Sequence, residues 1–96
     1  MEAMPPLVDA EITAALDALA GWVRAGDEIV KTFECVSFAA AISFVVRVGF
    51  LAERADHHPD IDIRWRNVRI ALTTHSANGL TNRDLDLATE IEAIGA

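Results

Sequence analysis

The feature that most constrains this chain is the stretch from Phe38 to Leu51, where only Ser43, Arg47 and Gly49 interrupt a run of apolar side chains. Ser37 is a good N-cap in front of it, so Phe38 to Asp56 is expected to run as one long helix. Ser43, Arg47 and Arg54 fall near one edge at helical spacing and leave only a narrow polar stripe. A helix that is apolar around most of its circumference must be covered on two sides. One side can pack on a sheet of the same domain. The simplest cover for the other is a second copy of the same helix, which makes a homodimer or homotetramer through Phe38–Asp56 the expected assembly. Composition points the same way, because 52% of the 96 residues are hydrophobic. A single small domain cannot hide that much apolar surface alone.

Several function classes fall away. No apolar run reaches the roughly 20 residues needed to span a bilayer. Met1 to Asp9 is acidic and carries Pro5-Pro6, so it has neither the basic end nor the apolar centre of a signal peptide. A net charge of -7, with eight Lys and Arg scattered along the chain, argues against a nucleic-acid backbone or an anionic membrane as partner. Cys35 is the one cysteine and excludes an internal disulfide. Between Phe33 and Phe38 it reads as a buried, inert thiol. A single domain over 1–96 in the cytoplasm is the expectation.

Around the long helix, periodicity places shorter elements. Ile12, Leu16 and Leu19 mark a first helix from Asp9 to Leu19, ended by Gly21. Trp22 to Arg24 and Ile29 to Cys35 read as strands joined by a turn at Ala25–Glu28. After Pro59, Ile61, Ile63 and Trp65 alternate with charged residues, and the phase then slips to Val68, Ile70 and Leu72. That slip predicts a hairpin turning at Arg66-Asn67, with His75 ending its second strand. Ser76 to Gly79 is a loop. Thr81 and Asp84 have capping-box spacing at the start of a last helix, with Leu80 and Leu85 as a hydrophobic staple and Leu85, Ala88 and Ile91 facing inward. The order α-β-β-α-β-β-α predicts an α+β two-layer sandwich: a four-stranded antiparallel sheet with three helices on one face.

The candidate chemistry lies in three histidines at element ends. His57 and His58 close the long helix, and Pro59 pushes the residue before it out of helical geometry. Glu53, Asp56 and His57 stand at i, i+3 and i+4, which on a continuing helix puts both carboxylates within reach of the first imidazole. Such a group suits proton transfer near neutral pH. Plainer readings compete. A His-His at a helix C-terminus complements the helix dipole when merely exposed. A metal site is disfavoured, because adjacent histidines chelate one ion poorly and no helical His-x-x-x-His or Cys partner exists. His75 alone could be a satisfied strand-end residue, and Asp84 could be only a capping acid.

The run Glu53-x-x-x-His57-His58-Pro59, followed by Trp65, His75 and Asp84 after five, nine and eight intervening residues, resembles the signature of the pterin-4a-carbinolamine dehydratases. Gly21-Trp22, Phe33, Phe38, Ala52-Glu53, Val68, Thr74-His75, Gly79-Leu80-Thr81 and Arg83-Asp84 add to the resemblance, which spans Gly21 to Ile91. It implies the same two-layer fold, dimers or tetramers involving the long helix, and a hydro-lyase that removes water from a 4a-hydroxytetrahydropterin in pterin cofactor recycling. The positions matching the family's site are Glu53, Asp56, His57, His58, His75, Arg83 and Asp84. His57, His58 and His75 are the expected catalytic group, and Glu53, Asp56, Arg83 and Asp84 the expected substrate-binding group. Within it, Glu53 and Asp56 are expected to set the charge of His57, and Arg83 and Asp84 to shape the pocket edge or hold His75. The chemistry requires no metal or other cofactor. Where family members often carry an aromatic residue two positions after the proline, this chain has Ile61, which implies weaker or altered pterin affinity. The resemblance also leaves room for a pterin- or partner-binding module, in molybdopterin-related metabolism or as a cofactor of transcription-factor dimerisation.

Overall fold

A computed structural model describes residues 5–96; the expectation for Met1 to Asp9 therefore falls outside the described residues for positions 1–4. The elements are α1 (Asp9–Leu16), β1 (Val23–Ala25), β2 (Glu28–Glu34), α2 (Phe38–Ala55), β3 (Asp60–Arg64), β4 (Asn67–Leu72), a single 3-10 turn (His75–Ala77) and α3 (Asn82–Ile94). The four strands form one antiparallel sheet in the order β1-β2-β4-β3. This is the expected α+β sandwich.

Alternation along the strands divides the sheet into two faces. Ile29 and Phe33 of β2 are buried with Val68, Ile70 and Leu72 of β4, while Ile61 and Ile63 of β3 pack at the margin. Against this layer α2 sets Ala41, Phe44, Val48 and Ala52, and α3 sets Leu87, Ala88 and Ile91. Phe44 is fully buried, with its ring centre 4.8 Å from that of Phe33. Burying a side chain of that size contributes about 2–3 kcal/mol. The opposite face of the sheet is polar and holds an open cleft of about 460 Å³ lined by Thr32, Asp62, Arg64, Asn67 and Arg69. That cleft lies away from all three histidines.

α2 starts as its sequence dictates, with the Ser37 hydroxyl accepting from Ala40 N at 3.0 Å. It then leaves Phe38, Ile42, Val46 and Phe50 exposed at i, i+4, i+8 and i+12, an apolar stripe on the side away from the sheet.

β1 and β2 are each displaced by one residue from the expected Trp22–Arg24 and Ile29–Cys35, α2 ends at Ala55 rather than Asp56, and three further boundaries differ from expectation. The first helix stops at Leu16 rather than Leu19, because tight turns (Ala18 N to Ala15 O, Leu19 N to Leu16 O) swing Leu19 into the core. The β3–β4 turn falls at Trp65-Arg66 rather than Arg66-Asn67. Trp65 takes φ 53 and is 68% exposed, so it is a turn residue and not the last inward residue of β3. The Arg66 carbonyl accepts from Cys35 N at 2.9 Å, which draws that residue out of the strand pattern. Finally, β4 ends at Leu72 and His75 opens the 3-10 turn instead of ending a strand. Thr73 donates its hydroxyl to Asp27 O at 2.5 Å, and Thr74 bridges to Gly79, so the backbone has already left the ladder.

Candidate active site

The last turn of α2 decides where the first two histidines point. Asp56 adopts φ 49, a left-handed residue that ends the helix, and His57 N reaches back to Ala52 O at 3.1 Å. The chain therefore leaves the helical path between Asp56 and His57. His57 turns inward and is buried, whereas His58 turns outward and is exposed.

His57 meets α3 inside the protein. Its Nε2 lies 2.5 Å from Asp84 Oδ1. Asp84 is completely buried, and its Oδ2 accepts the Thr74 hydroxyl at 2.7 Å and Thr81 N at 3.0 Å. The Thr74 and Thr81 hydroxyls are themselves 2.8 Å apart. Both oxygens of the carboxylate are thus occupied, and no buried side-chain polar atom among the described residues lacks a partner. An ionised carboxylate only accepts, so towards one Nε2 is the donor of this bond. Asp84 serves two purposes at once, because the capping-box bond to Thr81 and the bond to His57 use different oxygens.

The other expected pairings change. Glu53 contacts His58, with Oε1 2.7 Å from Nε2, and not His57. The i, i+3, i+4 expectation assumed a continuing helix, and the left-handed Asp56 breaks that periodicity. Asp84 holds His57 and not His75. Arg83 donates from Nη2 to the main-chain oxygen of Asp56.

A cleft of about 210 Å³ collects all three imidazoles together with Asp56, Thr74 and Arg83. Thr73 and Ser76 line it as well. A second cleft, of about 230 Å³, borders His57 and Arg83 from the α3 side, beside Asp86 and Glu90. Glu53 does not line this cleft and is tied to it only through its bond to His58. Thr81 holds Asp84 by the capping-box bond that its spacing predicts, whereas nothing in the spacing signals the Thr74 hydroxyl that donates to the same carboxylate.

A two-layer sandwich in which one imidazole is fixed by a buried carboxylate beside two others is an arrangement for moving protons. The family model described as pterin 4 alpha carbinolamine dehydratase matches residues 5–94, and the chain belongs to that family of hydro-lyases. A protein of Roseiflexus sp. (strain RS-1) that bears the name "putative pterin-4-alpha-carbinolamine dehydratase" is 62% identical over 88 residues, covering 92% of this chain and 95% of its relative. One from Nocardia farcinica is 57% identical over 88 residues, with 92% and 93% covered. A crystal structure from Brucella melitensis, named a transcriptional coactivator/pterin dehydratase, superposes with a TM-score of 0.91 at 33% identity and covers 95% of this chain and 99% of that one.

Proposed function

We propose that this chain removes water from a 4a-hydroxytetrahydropterin, giving the quinonoid dihydropterin, as a step in pterin cofactor recycling. The observation that carries this reading is the convergence of His57, His58 and His75 on one cleft, with His57 held by Asp84. The reaction needs one proton delivered to the departing 4a-hydroxyl and another taken from a ring nitrogen, and imidazoles suit both tasks. His57 and His75 transfer the protons. His58, braced by Glu53, orients the pterin, and Asp56 and Arg83 bound the cleft. Stopped-flow dehydration by the wild type and the three single His→Ala variants tests this. Loss of roughly 10²-fold in His57→Ala and His75→Ala is expected, and near wild-type rates in both would remove the assignment.

The protein assembles as a homodimer or homotetramer through the apolar stripe of α2, and acts in the cytoplasm. No helix among the described residues is long and apolar enough to cross a membrane. A second reading is favoured by the same stripe and by the coactivator named for the Brucella relative: α2 receives a different protein, such as a dimerising transcription factor. Sedimentation of the purified chain alone separates the two, since a monomer at micromolar concentration favours the foreign partner.

A further inference from the structure

We infer that Arg83 is a positioning residue, which aims the two histidines after α2 by holding the main chain. The kinetic part of this inference rests on the proposed dehydratase reaction; the geometric part does not. Asp56 sits at φ 49, in the left-handed region that few non-glycine residues occupy, and it is the branch point from which His57 goes inward and His58 outward. The Asp56 carbonyl accepts from Arg83 Nη2. The next residue of α3, Asp84, takes the ring of His57 at 2.5 Å. Two consecutive residues in the first turn of α3 therefore grip two consecutive residues of the histidine-bearing turn, one by its carbonyl and the other by its side chain. Arg83 also borders both clefts that flank His57. Once the carbonyl is released, only the bonds of Asp56 N and His57 N back to the end of α2 hold this left-handed turn, and both imidazoles shift with it. Proton transfer tolerates displacements of only about an ångström.

The test uses the full chain carrying Arg83→Met, which keeps the aliphatic stem without the donors, and Arg83→Lys as the conservative partner. In ligand-free protein, the imidazole NMR signals of His57 and His58 should shift in Arg83→Met while those of His75 stay in place. In the dehydration assay, kcat should fall roughly tenfold or more with KM within about twofold, the pattern of misplaced groups rather than lost binding. Arg83→Lys should recover part of both effects. Unmoved ring signals overturn the inference, whether KM rises at constant kcat, which assigns Arg83 to substrate, or nothing changes. If Arg83→Met fails to fold, the ring signals of Arg83→Lys decide: displacement confined to His57 and His58 supports the clamp, and coincidence with wild type removes it. A wild type without dehydratase activity sinks the proposed reaction, and the ligand-free spectra still judge the clamp.

Discussion

His57 and Asp84 meet at 2.5 Å in the protein interior and join the end of α2 to the first turn of α3. Because Asp84 is fully buried and its second oxygen is already used by Thr74 and Thr81, the pair has no spare acceptor and no access to bulk water on the carboxylate side. Its replacement should therefore be felt in both folding and chemistry.

Asp84→Asn keeps the shape and can still accept from Thr74 and Thr81, but it turns an amide N–H towards His57. The ring must then accept at Nε2 and carry its proton on Nδ1, the reverse of the wild-type arrangement. A loss of about 1–3 kcal/mol in urea unfolding is expected, with dehydration slowed about 10²-fold or more. Undiminished dehydration at lowered stability would reduce the pair to a structural tie.

The two adjacent histidines should separate cleanly in stability. His57→Ala strands a buried carboxylate and should cost about 3 kcal/mol or more. His58→Ala breaks a pair whose side chains are 59% and 77% exposed, and should cost less than about 0.5 kcal/mol. Equal losses in the two unfolding curves would contradict the inward and outward directions that Asp56 gives them.

Phe50 is 73% exposed on the outer stripe of α2. Phe50→Glu should lower the sedimenting mass without changing the far-ultraviolet circular dichroism, since no core contact is lost. If Phe50→Glu and Val46→Glu both sediment as the wild type does, the stripe is not the surface through which copies associate.

Trp65 combines high exposure with a left-handed backbone, and the Arg66 guanidinium lies 4.8 Å from its ring centre. Trp65→Asn, a residue that tolerates this conformation, should leave stability unchanged or raise it by about 0.5–1 kcal/mol. A loss above about 1 kcal/mol in the same unfolding assay would show that the indole packs against something in solution.

The layers of the fold were legible because they rest on local chemistry. Ser37 caps α2, Thr81 and Asp84 cap α3, and Val68, Ile70 and Leu72 keep the period of a strand. Period misleads where distant contacts override it. Alternation carried β3 through Trp65, although Cys35 takes the Arg66 carbonyl and turns the chain earlier. It carried β4 to His75, although Asp27 has captured Thr73 by then. The three histidines were legible as element ends, and the spacing of Glu53, Trp65 and Asp84 tied them to a family. Their partners were not. Helical spacing gave Glu53 to His57, but one left-handed residue rotates the pairing to His58, and no local pattern shows that Asp84 waits across 27 positions.

That separation has a consequence for the chain during its synthesis. All three histidines precede Thr81, so a nascent polypeptide that has emerged only as far as the 3-10 turn already carries every imidazole of the cleft. It still lacks the carboxylate that fixes one of them and the guanidinium that holds the turn before it. The cleft is therefore finished late, when α3 closes over the end of α2. If the proposed site is the catalytic one, a ribosome-bound or prematurely terminated product would contain the histidines without their partners, and turnover should begin only once α3 has docked.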